Sequence, residues 1–309
     1  MSLKIVRGIK TSPARVVIYG TEGIGKSTLA TQFPSALVLD TEDGTSRLDV
    51  ARVECPDYAT TEAAMHEMIR DPQGFKTVVI DSADWLERSI IESITRKSGK
   101  RSIEDFGFGK GYTVLAEHVA RVLAVADQLI AAGLHVVFVA HSKVQRTSPP
   151  DETDGYDRYE LKLTKQVAPL LREWADALLF CNYRTTLVEG SDGRKKATGG
   201  KERVMYAERS AAWDAKNRFG LPAEMPMTIE SLAPLFSNAG LEPARPAASK
   251  RSWRDRVRDA KTVEELGGIG DEADQAASEG KLTLEQRDQL DAVIAVRHSE
   301  IEAESGVTA

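Results

Sequence analysis

Residues 20–27 read GTEGIGKS, which fits the spacing G-x-x-x-x-G-K-[ST]. Each residue type in that pattern has a chemical reason. Gly20, Gly23 and Gly25 let a short loop curl so that backbone N–H groups at Thr21, Glu22 and Ile24 face inward, where phosphate oxygens are held. Lys26 brings a point charge to the outer phosphates. Ser27 offers a hydroxyl to a divalent cation, and Thr28 begins the segment behind it. An apolar run, residues 15–19 (RVVIY), precedes the loop and a helix-like TLATQF follows it. That strand–loop–helix context makes a chance glycine-rich turn a poor alternative. The motif implies a nucleoside triphosphate and Mg²⁺. It does not distinguish a kinase from a GTPase, a motor or a recombinase.

A second acidic position comes from residues 77–82 (TVVIDS). An aspartate closing a buried strand beside a phosphate loop holds the metal, so Asp81 joins Ser27 as a metal residue. The competing reading is a helix cap, since Asp and Ser favour that place. Asp84 is a weaker metal partner. Hydrolysis also needs a group that orients or deprotonates water. Residues 37–44 (LVLDTEDG) supply Glu42, with Asp40 and Asp43 as substitutes. Residues 135–141 (HVVFVAH) end on His141.

These residues need a scaffold that gathers them. Four short apolar runs (residues 15–19, 36–39, 77–80 and 135–140) each stop at a polar or glycine residue, the mark of buried parallel strands. Helical patterning lies between them, at 63–69 and 114–131. Alternating strand and helix predicts an α/β protein with a mostly parallel central sheet flanked by helices. Ligands in such sheets collect at the carboxyl ends of the strands, where Gly20, Asp40, Glu42, Asp81 and His141 stand. Residues 161–177 read as a helix. Residues 177–188 and 202–207 read as strands joined by a polar loop, an antiparallel addition to the sheet edge, and 221–240 read as a closing helix. Residues 241–251 (LEPARPAASKR) are a linker. The predicted organisation is therefore a core over 1–240, the linker, and a small helical region over 252–309, with Thr283 capping a helix.

At this point the chain resembles the RecA-like ATPases. In them a catalytic glutamate lies two residues beyond an aspartate that closes the strand after the phosphate-loop helix, which is Glu42 here. They place a polar sensor, commonly glutamine, where this chain has His141. Residues 215–220 (AKNRFG) resemble the Lys-x-Arg element of hexameric replicative helicases and their relatives. The resemblance implies that Lys216 and Arg218 reach a neighbouring subunit's nucleotide, so catalysis would need a homo-oligomer, ring or filament. Arg209 is a weaker alternative. Together with DFGFGKGY (105–112) and WDAKNRFGLP (213–222), the set over roughly 12–240 looks like phage-encoded RecA-like nucleotide-binding proteins. Some of those are ATP-dependent single-strand annealing recombinases.

In RecA-like proteins the loops after the acid strand and after the sensor strand face DNA. The corresponding residues here are Arg96, Lys97, Lys100, Arg101, Phe108 and Lys110, then Lys143 and Arg146. Cations follow a phosphate backbone and aromatic faces stack on bases whatever the sequence, which suits single-stranded DNA. Phe106, Tyr112, Tyr156 and Tyr159 lie close in sequence, while Asp151, Glu152, Asp154 and Asp157 weaken the second loop. Residues 193–201, with Arg194, Lys195 and Lys196, form a third basic stretch. The resemblance leaves a helicase-like or loader motor as the alternative, and a small-molecule kinase as a more distant one. A single-strand-binding protein is a further expected partner.

The bulk numbers agree with this picture. At 309 residues with 41% hydrophobic and 28% charged content, the chain suits a globular protein with one large domain and an appendage. The formal net charge of −6 argues against a protein that coats nucleic acid by bulk attraction, so any such contact must come from local basic patches. Two cysteines without metal spacing, Cys55 and Cys181, read as reduced buried thiols. Residues 1–12 lack the apolar core of a signal peptide, and no apolar run is long enough for a membrane span, so the cytoplasm is the expected location, the host's if the chain is phage-encoded.

Overall fold

The computed structural model describes residues 12–148, 155–189, 195–237, 253–260, 262–278 and 284–305. The chain divides into two compact units, 1–244 and 245–309. The linker stretch 241–251 and the cap at Thr283 lie outside the described residues.

The first unit is built on β1 (Arg15–Gly20), α1 (Lys26–Ala30), β2 (Ala36–Asp40), β3 (Ala51–Glu54), α2 (Tyr58–Arg70), β4 (Thr77–Asp81), α3 (Ala83–Lys97), α4 (Lys110–Ala131), β5 (His135–Thr147), β6 (Tyr156–Leu161), α5 (Val167–Trp174), β7 (Ala177–Glu189), β8 (Lys195–Tyr206), β9 (Lys216–Asn217), β10 (Glu224–Pro226) and α6 (Ala233–Ser237). The sheet runs β10-β8-β7-β1-β5-β4-β2-β3, with β6 on β5 and β9 on β7. Strands β3, β2, β4, β5, β1 and β7 are parallel. Their side chains alternate between two buried faces. Val17 and Tyr19 of β1 enter the core under α2, α3, α4 and α5, while Val16 and Ile18 enter the core under α1 and α6. Burial on both faces is why these strands are apolar throughout rather than alternating. The α/β fold with a mostly parallel sheet flanked by helices is thus present.

Five features differ from the sequence expectation. Strand β5 does not stop at His141. Its first six residues are buried in the main sheet, and the rest pairs antiparallel with β6 as a half-exposed hairpin. The apolar run marks only the part that needs two covered faces. The edge strand β3 was not foreseen, because Ala51, Arg52 and Glu54 are exposed and carry no apolar pattern. Residues 195–200 belong to strand β8, so the polar loop between the antiparallel strands is shorter than the composition suggests. Residues 221–237 form β10, a 3₁₀ turn at Glu230–Leu232 and the short α6 instead of one closing helix. Pro222, Pro226 and Pro234 remove backbone donors that a helix over this stretch would need. Likewise α5 begins only at Val167, since Leu161 still closes β6.

An aromatic stack anchors the segment that returns across the sheet after β8. Trp213 lies 4.3 Å from Tyr206 and 5.5 Å from Phe180, and Phe180 lies 5.1 Å from Tyr19. The Tyr19 hydroxyl donates to the Asp214 carbonyl at 2.6 Å and accepts the Asp214 N–H at 3.0 Å. The Asp214 carboxylate gathers Arg158 and Arg172.

The second unit holds α7 (Trp253–Asp259), α8 (Val263–Ser278) and α9 (Leu284–Ser305) around a small core of Val257, Leu266, Ile269, Ala273, Leu290 and Ile301.

Candidate active site

The carboxyl ends of β1, β5, β4 and β2 stand side by side and carry the predicted chemistry. Gly20 ends β1 against β7, and a Cβ there would lie 2.0 Å from the Cys181 carbonyl oxygen, so only glycine fits. Gly25, at φ 102°, turns the loop into α1 in a conformation open to glycine. Ile24 is fully buried in the core under α1, so it contributes to the loop through its backbone alone. Glu22 is exposed and pairs with Lys162 at 3.3 Å. Thr21 Oγ1 is buried and has no hydrogen-bond partner among the described residues. Lys26 is 5% exposed, and its ammonium donates to the carbonyls of Gly20 at 3.2 Å and Thr21 at 2.8 Å. Burial lowers its pKa, while Cys181, Asp81, Asp84 and Glu42 pull it back up. Cys181 is itself buried, with its thiol pushed up to about 12 by burial, and Cys55 is also a free buried thiol.

Asp81 closes β4 at 2% exposure. Burial pushes its pKa up to about 6; the Ser27 hydroxyl bonds it and opposes that rise, while Glu42 and Asp40 add to it. Ser27 and Asp81, placed in sequence as the metal pair, are therefore neighbours. An oxygen-only pair whose carboxylate is held partly against its own charge fits a hard divalent cation, which would bind through Ser27 and Asp81 and neutralise phosphate charge.

Asp40, a substitute for the catalytic acid in the sequence reading, has a different task. At 4% exposure it accepts from the backbone N–H groups of Glu42 (3.3 Å), Gly44 (3.1 Å) and Thr45 (3.0 Å), and from the Thr45 hydroxyl. Burial pushes its pKa up, but those hydrogen bonds hold it below the usual carboxylate range. Asp40 thus ties the loop that carries Glu42. The Glu42 carboxylate accepts from the Ser82 hydroxyl at 2.9 Å. Thr41 closes the same corner, donating its hydroxyl to the Ser82 carbonyl at 3.0 Å and accepting the Ser82 N–H at 2.8 Å.

His141 meets Asp84, which sits in the first turn of α3. Nδ1 of the ring lies 2.9 Å from Oδ2, and the His141 backbone N–H donates to Oδ1 at 3.0 Å. Its hydrogen bond to Asp84 is the chief cause that raises the His141 pKa. Burial raises that of Asp84, but the His141 ring and N–H more than offset it. Nδ1 therefore carries a proton for Asp84 and leaves Nε2 for another partner. Glu42, Asp84 and His141 present ligand atoms within 4.8 Å of one another. The sequence reading weighed Asp84 only as a metal partner. Its position three residues after Asp81, in the first turn of the helix that follows the acid strand, was the available signal, and the pairing with His141 needs the strand order.

Other predicted residues lie elsewhere. Arg96 and Lys97 are in the last turn of α3, Lys100 and Arg101 in the loop that follows, and Lys110 opens α4. Phe108 stands wholly exposed between them. Phe106 and Tyr112 instead pack against the core, and the Tyr112 hydroxyl donates to Glu104 at 2.5 Å, so of that interleaved trio only Phe108 offers its ring. Lys143 and Arg146 are on the β5 extension; Lys143 donates to the Leu163 carbonyl at 2.6 Å. Lys216 and Arg218 are at the opposite end of the sheet from the loop. Lys216 donates to the Glu173 carbonyl at 2.8 Å, and Arg218 pairs with Asp176 at 2.8 Å, whose N–H bonds to Arg15 at the start of β1. The rise of β1 puts them about 17 Å from their own chain's loop at ~3.3 Å per residue. Arg209 pairs with Asp214 at 3.6 Å. Arg194 lies outside the described residues, as do Asp151, Glu152 and Asp154.

A family model for the AAA domain matches residues 12–219, from just before β1 through the Lys216–Arg218 element. The chain belongs to the AAA domain family. It is a P-loop nucleotide-binding protein of ATPase type, and the AAA domain match covers every residue of the site just described. A search of curated proteins finds no match. Among the described residues no helix is long and apolar enough to cross a membrane.

Proposed function

We propose that this AAA-domain protein is a RecA-like, Mg²⁺-dependent ATPase that binds single-stranded DNA and promotes annealing or strand exchange in phage DNA recombination. The supporting observation is the pairing of two features in one unit. A hydrolytic centre, with Glu42 held by Ser82 beside Asp81 and Lys26, adjoins β5, which continues from His141 straight into a half-exposed hairpin. A solvent-exposed ring, Phe108, follows Arg96 and Lys97 at the end of α3 and Lys100 and Arg101 in the loop after it. Glu42 orients and deprotonates the attacking water. His141 offers Nε2 toward the outer phosphate, and its strand carries any displacement into the Lys143–Arg146 hairpin. Phe108 stacks on bases while Arg96, Lys97, Lys100, Arg101 and Lys110 follow the phosphates.

Lys216 and Arg218 cannot serve their own chain's nucleotide, and the Arg218 side chain remains 62% exposed. In this reading they complete the neighbouring protomer's site, and the working form is a homo-oligomer. The continuity of β5 from site to hairpin also suits a helicase-like or loader motor. The test is the ATPase rate with and without single-stranded DNA, followed by a forked duplex. Stimulation by single strands and annealing of complementary strands support the proposal; strand displacement on the fork favours the motor. A rate indifferent to DNA, with no DNA retained, removes both.

A further inference from the structure

Arg203 was not singled out in the sequence, yet its position is unusual. Strand β8 pairs antiparallel with β7, and β7 pairs parallel with β1. The registers place Gly20 opposite Cys181, Cys181 opposite Met205, and Tyr183 opposite Arg203. Residue 203 therefore stands two residues past the end of β1, where β7 and β8 run on to the level of the phosphate loop. Side chains two apart on a strand share a face. Met205 and Cys181 enter the core under α1, so Arg203 emerges on the face that α1 and the loop occupy. The guanidinium arrives there: Nη1 donates to the Ile24 carbonyl at 3.3 Å and lies 2.8 Å from where a Cβ on Gly25 would be. The Met227 N–H bonds to the Arg203 carbonyl at 3.2 Å, and Val204 and Met205 beside it are buried, so the strand is held. Among the described residues no carboxylate pairs with Arg203; the nearby acids Glu202 and Glu224 are both taken by Arg184.

One bond to a carbonyl leaves most of a guanidinium's five N–H donors unspent. The strand order says where they face. Asp81, Glu42 and His141 lie on the β5–β4–β2 side of β1, and Arg203 lies on the β7–β8 side. A triphosphate whose outer end is worked on by the acids has its inner end toward Arg203. We infer that Arg203 is a nucleotide ligand from the same chain, binding the inner (α and β) phosphates across the crown of the loop. This rests on the P-loop nucleotide site. It adds a cation that, unlike Lys216 and Arg218, needs no neighbour.

The test is titration of the full chain with ADP and with a non-hydrolysable ATP analogue, each with Mg²⁺. Arg203→Ala weakens both about tenfold and to the same extent, as loss of a charge-assisted contact would. Arg203→Lys recovers much of the affinity, and Arg203→Gln does not, although glutamine still offers the Ile24 carbonyl a donor. Wild-type affinity in Arg203→Ala, a loss confined to the ATP analogue, or rescue by glutamine overturns the assignment, the last because a mere loop brace suffices. Lys26→Ala is run alongside. If it too binds as wild type, the nucleotide site itself is wrong, and if only Lys26→Ala loses binding, the fault lies with Arg203 alone.

Discussion

Replacing Asp40 with alanine tests whether the catalytic loop is held by one buried carboxylate. That carboxylate accepts three backbone N–H groups and the Thr45 hydroxyl. The donors fare differently once it is gone. Gly44 is exposed and Glu42 half-buried, so their N–H groups turn to water, whereas Thr45 is 0% exposed and its N–H and hydroxyl are stranded. Two stranded donors at roughly 1–3 kcal/mol each give a loss of about 3 kcal/mol, a large share of a domain's stability. The same change frees Glu42 from its place beside Ser82, so turnover is expected to fall roughly 100-fold or more while nucleotide affinity changes little. Urea unfolding and steady-state ATP hydrolysis measure the two effects. A stability loss under 1 kcal/mol, or turnover within a few-fold of wild type, refutes the argument that Asp40 acts by holding the loop. Because the folded pKa of Asp40 is depressed, its contribution is present above the ordinary carboxylate value and fades as pH drops below that value.

Two further outcomes are expected. His135 is 0% exposed, accepts the Ala14 N–H at Nδ1 at 2.9 Å, and is pushed down to about 4 by burial. A base depressed in the folded state costs stability as pH falls from about 6.5 to 4, some 3 kcal/mol in all; His135→Gln flattens that part of the pH–stability curve measured by denaturation, and an unchanged slope contradicts the assignment. Phe108→Ala removes a wholly exposed ring and leaves folding untouched, while single-strand affinity drops about tenfold in a fluorescence titration, the scale of one base–aromatic stack; unchanged affinity removes Phe108 from the DNA surface.

The parts of the site legible in sequence are those made by contiguous residues. The loop at 20–27 and the strand closing on Asp81 carry their whole chemistry in one stretch, as does the apolar patterning of β1, β2 and β4. What arises from folding together distant segments was not legible. Ser82 on Glu42, Asp84 on His141 and Arg203 on Ile24 each depend on strand order and register. Asp40 and Glu42 are both acids two residues apart, and only the hydrogen bonds show that one holds the loop and the other is presented. Apolar runs locate strands buried on both faces, so they missed β3 and the outer half of β5, whose residues are mostly polar and exposed or half-buried. Three prolines in 221–237 stopped the helix that the apolar spacing suggested. The thiols were foreseen because isolated cysteines without ligand spacing have little option but burial.

The account turns on a site finished by a neighbour, and mixing two defective chains measures that directly. Arg218→Ala keeps its own Glu42 and lacks the donated cation; Glu42→Gln keeps the cation and lacks the base. Each alone is predicted to hydrolyse ATP poorly with nucleotide affinity retained. Mixed in equal amounts with Mg²⁺ and single-stranded DNA, they recover up to about one quarter of wild-type turnover, the share of interfaces that pair an intact Glu42 with an intact Arg218 under random assembly. Activity no greater than the mean of the two separate chains, in a mixture shown to co-assemble, contradicts it.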